Sequence, residues 1–115
     1  MTVLYGIANC DTIRKAKRWL ESHGVDYRFH DFRKDGLSRE TLARWVDELG
    51  AETLLNKRGL TWRKLPDERK QPLDRDHVIE LLLEMPAMIK RPVLDLGEQR
   101  IVGFSPDRYQ TLFQS

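Results

Sequence analysis

The chain has 115 residues and a mass of 13.6 kDa, the size of one ordinary domain with room for a hydrophobic core. With 40% hydrophobic and 33% charged residues, it has the composition of a globular domain, which excludes a disordered or membrane-embedded chain. The net charge of +2 is too small to predict nucleic-acid binding, and no apolar run reaches the roughly 18 residues of a membrane span. The first residues lack a signal-peptide pattern, so we expect a cytoplasmic protein.

The first third of the chain predicts a strand, a helix and a second strand. Residues 3–8 are a short apolar run with β-branched and aromatic members, typical of a buried strand. Apolar residues follow at helical spacing over 13–20, and His23 with Gly24 ends that helix. Residues 25–31 alternate between apolar and polar, with Asp31 at the last inward position. The crossover helix implies that the two strands are parallel.

The middle of the chain predicts helices. Ser38 is placed to cap a helix that ends at Gly50, and residues 51–55 fit one further helical turn. Asp74 is placed to cap another helix, which ends before Pro86.

Between these helices, residues 56–75 contain seven basic and three acidic residues and few aliphatic ones. We interpret this basic stretch as a solvated loop. The alternative is a docking surface for an acidic partner or for a carboxylate of glutathione. A single tryptophan, Trp62, does not make the stacking platform of a nucleic-acid site.

The last part of the chain predicts a hairpin and a helix. Strands over 93–96 and 99–103 flank a turn at Gly97, and Ser105 with Pro106 starts the final helix. The complete order predicts an α/β, thioredoxin-like fold (β-α-β, then β-β-α) with a helical insertion in the middle. We expect one domain over 1–115, with the thioredoxin-like part formed by residues 1–35 and 88–115 and the insertion by 36–87.

Cys10 is the one cysteine of the chain, and it lies where the first strand passes into the first helix. Unpaired amides and the helix dipole at such a position stabilise a thiolate and lower its pKa from about 8.5 to between roughly 3.5 and 7.5. Asn9 and Thr12 make the corner polar. The carboxylate of Asp11, in contrast, is expected to raise the thiol pKa. The alternative is a buried, inert cysteine.

A lone cysteine also limits the chemistry. Ile13 stands three residues after Cys10, so there is no C-x-x-C pair, and any disulfide of Cys10 is formed with another molecule. Turnover then requires an external thiol, for which glutathione is the simplest candidate. The three histidines of the chain are not at metal-ligand spacing, so we expect no metal site and no bound cofactor.

A second informative segment precedes the predicted hairpin. Pro92 stands directly before a strand, and X-Pro bonds are where cis peptides occur. In a thioredoxin-like fold this corner faces the cysteine. We therefore expect Arg91 beside the sulfur, as a cation and a donor to anions. The alternative is a surface arginine on a loop.

Four short motifs are spread along the chain: Ala8-Asn9-Cys10-Asp11-Thr12-Ile13-Arg14-Lys15-Ala16, Leu54-Leu55-Asn56-Lys57-Arg58-Gly59, Ile89-Lys90-Arg91-Pro92-Val93 and Val102-Gly103-Phe104. Together they resemble the ArsC/Spx family, and most of all its YffB-like branch. The resemblance extends over essentially the whole chain and implies a thioredoxin-like fold with a helical insertion.

The family resemblance implies three possible functions. In arsenate reductases a cysteine at the position of Cys10 attacks arsenate, and glutathione and glutaredoxin complete the reduction. Arg91 matches an oxyanion-binding arginine, and Pro92 matches a cis-proline. A histidine and two further anion-binding arginines of those enzymes fall here, in order, at Gly6, Asn56 and Phe104.

Spx is a regulator that binds RNA polymerase and carries a C-x-x-C switch, which Ile13 removes here. YffB-like proteins are proposed to be glutathione-dependent thiol reductases, and the lone thiol fits that activity best. We therefore expect glutathione as co-substrate, with glutaredoxin or a protein thiol as a further partner, and no nucleic acid or membrane. The expected catalytic residues are Cys10 and Arg91, and the expected substrate-binding residues are Asn9, Asp11, Thr12, Arg14, Arg58 and Pro92.

Overall fold

A computed structural model describes residues 2–71 and 73–113. The chain divides into two compact units, Met1–Asp31 with Arg91–Ser115, and Phe32–Lys90. Short 3₁₀ turns cover Asp67–Lys70 and Pro86–Met88. In chain order the other elements are β1 (Val3–Gly6), α1 (Asp11–Ser22), β2 (Arg28–Asp31), α2 (Arg39–Leu49), α3 (Ala51–Leu54), α4 (Leu60–Lys64), α5 (Arg75–Glu84), β3 (Val93–Asp95), β4 (Arg100–Val102) and α6 (Pro106–Leu112).

The first unit is built on a four-stranded sheet in the order β2-β1-β3-β4. β1 pairs in parallel with β2 and antiparallel with β3, and β3 pairs antiparallel with β4. The connection between the parallel strands passes through α1, and α6 follows the hairpin. This arrangement confirms the predicted thioredoxin-like α/β fold, in which the helical segment is inserted between β2 and β3.

The core of the first unit lies between the sheet and its helices. α1 buries Ile13, Ala16 and Leu20, which have the spacing of one helical face. Ala16 and Leu20 pack with Leu4, Leu94 and Tyr109 in one cluster. The hydroxyl group of Tyr109 finds no hydrogen-bond partner among the residues that the structure describes, and burial raises its pKa.

The second unit contains two main helices, α2 and α5, that pack against each other. Both begin at the predicted caps: the Ser38 hydroxyl accepts from the Thr41 amide at 3.1 Å, and the Asp74 carboxylate accepts from the His77 amide at 2.9 Å. Asp47 on α2 accepts two hydrogen bonds from the Arg75 guanidinium on α5, at 2.6 and 3.1 Å. The buried residues of the two helices are Leu42, Trp45, Val46, Val78, Ile79, Leu81 and Leu82.

The second strand is shorter than predicted. The alternation predicts a strand over residues 25–31, but the strand begins at Arg28. The amide of Val25 instead donates to the carbonyl of Leu20 at 2.9 Å, which ties this residue to the end of α1. Val25 is nevertheless half-buried, so the alternation predicted burial correctly but not sheet pairing.

The basic stretch over residues 56–75 is more ordered than the expected loop. It contains α4 and the first of the 3₁₀ turns. Part of its charge is paired with carboxylates, because Arg69 binds Glu84 and Arg75 binds Asp47.

The described residues include no helix of the length and apolarity needed to cross a bilayer.

Candidate active site around Cys10

The loop between β1 and α1 places Cys10 at the N-cap of α1. Its backbone is extended, with φ −102° and ψ 129°, and its carbonyl accepts the first helical hydrogen bond from the Arg14 amide at 2.9 Å. Asn9, the preceding residue, has the left-handed φ of 65°, which asparagine tolerates better than most residues. The Cys10 side chain is half-buried, so its sulfur is neither sealed in the core nor fully in water.

The surroundings of Cys10 favour the thiolate. Burial raises the pKa of the thiol, but the Ile13 amide, the Arg91 guanidinium and the Thr12 amide together lower the pKa below its ordinary value. The neutral side chain makes no regular cap hydrogen bond. The amides at the start of α1 therefore act mainly on the charged form of the sulfur, as expected for a helix N-terminus.

Arg91 reaches the sulfur from the start of β3. It is half-buried, and its guanidinium lowers the pKa of the Cys10 thiol by hydrogen bonding to the sulfur and by its charge. The Arg91–Pro92 peptide bond is cis, and the carbonyl of Pro92 accepts from the Gly103 amide at 2.8 Å. The next residue, Val93, lies opposite Tyr5 of β1. The sheet thus aligns Arg91 with the end of β1 that leads to Cys10.

The first turn of α1 contains two further predicted site residues. Asp11 and Arg14 are both exposed and form an ion pair with each other. The Arg14 cation offsets the Asp11 charge, which by itself disfavours a neighbouring thiolate. Thr12 is half-buried and contributes its amide, whereas the side chain of Asn9 is exposed.

Arg58 belongs to the second unit, so its proposed role as a substrate-binding residue for Cys10 stays a prediction. Within that unit it lines a cavity of about 150 Å³ together with Lys57, Lys90 and Glu52. Its amide donates to the Asn56 side-chain oxygen at 3.1 Å. The cavity has a net positive lining, because only Glu52 is acidic, and Glu52 lies 3.8 Å from the Lys57 ammonium.

A buried carboxylate near the Cys10 loop was not predicted as a site residue. Asp31, the last residue of β2, is only 8% exposed, and its Oδ2 accepts from the Ala8 amide at 3.2 Å. The signal in the sequence was an acidic residue at an inward position of the predicted strand. Such a residue requires polar partners inside the fold.

Comparison with known protein families shows to which family the chain belongs. The model of the ArsC family matches residues 5–112, which is nearly the complete sequence. The chain belongs to the ArsC family. Among curated relatives of this ArsC-family chain, an uncharacterized protein of Haemophilus influenzae is 39% identical over 113 residues, covering 98% of this chain and 99% of the relative. The global transcriptional regulator Spx of Lactiplantibacillus plantarum is 28% identical over 110 residues, covering 93% and 82%.

Solved structures agree with this assignment. A YffB protein is 50% identical and superposes with a TM-score of 0.95, over 99% of this chain and 100% of that chain. An arsenate reductase (ArsC) related protein from Brucella melitensis is 46% identical, with a TM-score of 0.80 over 99% and 95%. The resemblance read from the sequence, including its closeness to YffB proteins, is therefore confirmed.

In this ArsC-family chain, packing fills two positions at which the resemblance to arsenate reductases expects functional side chains. Gly6 has no room for a side chain, because an added Cβ would lie 2.2 Å from Cδ1 and 2.8 Å from Cγ1 of Ile13. Phe104 stacks edge-on against Tyr109, with ring centroids 4.7 Å apart. Neither position supplies the imidazole or guanidinium that the resemblance to arsenate reductases associates with it.

Gly6→Ala is expected to lower the free energy of unfolding by about 1–3 kcal/mol, the usual cost of overpacking. Ile13 is 1% exposed, so its side chain has little room to turn away. Chemical denaturation of Gly6→Ala, Ile13→Ala and the double variant measures the coupling. The double variant is expected to lose clearly less than the sum of the single losses. Additive losses would show that these two side chains do not compete for the same space.

Proposed function

We propose that this ArsC-family protein is a glutathione-dependent thiol–disulfide reductase that uses Cys10 as its nucleophile. The observation that carries the proposal is the position of Cys10, half-buried at the N-terminus of α1, where the helix amides and the Arg91 guanidinium lower the pKa of its thiol. A thiol held in this way is ionised at lower pH than an ordinary one, and the thiolate is the reactive form.

The reaction is an exchange in two steps. The Cys10 thiolate attacks a glutathione mixed disulfide R–S–S–G, so that a Cys10–S–S–G bond forms and RS⁻ leaves. The thiolate of a second glutathione then attacks the glutathione sulfur, releasing the Cys10 thiolate and oxidised glutathione. One disulfide is consumed and one is produced: the sulfur of R is reduced to a thiolate, and the attacking glutathione is oxidised in its place. Arg91 and the helix amides stabilise Cys10 each time it leaves as a thiolate.

Arsenate reduction is supported less well by the residues of this chain. An arsenate oxyanion needs several convergent donors, and Arg91 is the one arginine of the expected set that the chain retains in register. Gly6 is closed by Ile13, and Phe104 is packed on Tyr109. A disulfide substrate carries no such requirement, because its reacting sulfurs are neutral before attack.

The experiment that tests the proposal measures the rate of Cys10 alkylation by iodoacetamide as a function of pH, followed by intact mass after exposure to oxidised glutathione. We expect a thiol pKa clearly below about 8.5 and one glutathione adduct per chain that reduced glutathione removes. The matched control is the same protein unfolded in urea, whose thiol should titrate at its ordinary pKa. A native pKa at or above that of the control, with no adduct, would contradict the proposal.

A second candidate function is a regulator without turnover, and the similarity to Spx favours it. In that case binding depends on surface charge, such as the cationic cavity of Lys57, Arg58 and Lys90, and not on the thiol. A partner retained by Cys10→Ser protein and released by salt would support the regulator. Loss of the partner in Cys10→Ser would favour a mixed-disulfide contact instead.

A further inference from the structure

The loop that presents Cys10 is short and contains one unusual backbone conformation. It runs from the end of β1 at Gly6 to the N-cap of α1, and Asn9 within it is left-handed. The downstream end is held by α1 through the hydrogen bond to the Cys10 carbonyl. The upstream end is held by β1, which pairs with a strand on each side in the sheet. Residues 7–9 between these two ends belong to no helix or strand, so their conformation depends on further contacts.

Asp31 supplies such a contact to the middle of the loop. In the parallel register Asp31 lies opposite Gly6, the last residue of β1. Asp31 is therefore at the same end of the two strands as the start of the loop. The Oδ2 atom accepts from the Ala8 amide at 3.2 Å, two residues before Cys10. A carboxylate that is 8% exposed has lost most of its water, and such a group is retained where it has hydrogen bonds to make.

We infer that Asp31 is a positioning residue for Cys10: its buried carboxylate fixes the β1–α1 loop through the Ala8 amide and so holds the sulfur at the amides of α1 and at Arg91. The inference deepens the proposed function and rests on it, because positioning matters only if Cys10 reacts. Asp31 itself is assigned no contact with the substrate. Its hydrogen bond to the loop requires an acceptor and not a negative charge.

This distinction between an acceptor and a charge makes the inference testable. Asp31→Asn keeps an acceptor in a side chain of the same shape, whereas Asp31→Leu introduces a side chain of similar shape without an acceptor, so these two variants are compared. The readout is the thiol pKa from the pH dependence of iodoacetamide alkylation. The charged neighbours of the sulfur, namely Asp11, Arg14 and Arg91, are unchanged in both variants.

We expect Asp31→Leu to raise the Cys10 pKa by about one unit, since the sulfur loses part of its contact with the amides and the guanidinium. Asp31→Asn should leave the pKa unchanged or lower it slightly, because a nearby negative charge is removed. The Cys10 pKa should therefore shift in opposite directions in the two variants, or differ between them by about one unit. A lower Cys10 pKa in both variants would show that Asp31 acts only through its charge. An unchanged Cys10 pKa in both would show that Asp31 has only a structural role. Either result overturns the inference.

Two controls complete the design. Val3→Ala lies at the far end of β1 and should lower stability without moving the thiol pKa, which separates positioning from general destabilisation. If Asp31→Leu does not fold, Asp31→Ser replaces it, because its shorter side chain withdraws the acceptor. Alkylation needs neither glutathione nor turnover. Failure of the wild-type protein to form a glutathione adduct would thus defeat the proposed function and leave the pKa comparison standing.

Discussion

Replacing Cys10 with serine is expected to reduce glutathione-dependent disulfide reduction to the level of a protein-free blank. A serine hydroxyl is not ionised at neutral pH, and the chain contains no second cysteine that could take over. The loss should be at least about a thousandfold, the size seen when an essential nucleophile is removed. The assay follows oxidation of glutathione with a mixed-disulfide substrate, and intact mass should show no adduct on the variant.

This substitution includes a built-in control for folding. Serine is among the preferred N-cap residues, and the Cys10 side chain makes no regular cap hydrogen bond. The melting temperature of Cys10→Ser should therefore equal or exceed that of the wild type. A stable variant with unchanged turnover would show that Cys10 is not the nucleophile. A stable variant without turnover would assign the loss to the sulfur itself.

Replacing Arg91 with alanine is expected to raise the Cys10 pKa by about one unit, because a charge-assisted hydrogen bond to the thiolate is lost. A thiol is reactive above its pKa, so the midpoint of the alkylation profile moves to higher pH. Below both pKa values the variant has about tenfold less thiolate, but its intrinsic nucleophilicity is about threefold higher. The net rate should fall about threefold to fourfold.

Above both pKa values the order reverses. Both proteins are then fully ionised, and the more basic thiolate of Arg91→Ala should react about threefold faster with iodoacetamide. The two pH–rate curves are therefore expected to cross. Arg18→Ala is a matched control, since Arg18 is an exposed arginine on α1 outside the expected site. Parallel curves for Arg91→Ala and the wild type would contradict a direct effect of Arg91 on the thiolate.

The parts of the fold that could be predicted are those that local chemistry determines. The sequence predicts Ser38, Asp74 and Ser105 as helix caps, and in each case the side chain accepts from the amide three residues later. Cys10 is placed correctly at the start of α1 because a strand pattern changes there to a helical one. These signals lie within a few residues of one another.

The parts that could not be predicted depend on contacts between distant segments. The role of Asp31 requires that β2 end beside the Ala8 loop, which no local pattern shows. The closure of Gly6 by Ile13 requires the angle at which α1 packs on β1. α4, with only five residues, is too short for a helical period to be recognised in the sequence.

The order of the strands has a consequence for how the protein is made. β1 is central in the sheet, but its neighbour β3 lies near the other end of the chain. Arg91 leaves the ribosome about eighty residues after Cys10, roughly 4 to 16 s later at ordinary rates of synthesis. During that interval the nascent chain carries Cys10 without the guanidinium that favours its ionisation. A smaller fraction of the newly made thiol is thus ionised before β3 joins the sheet than afterwards.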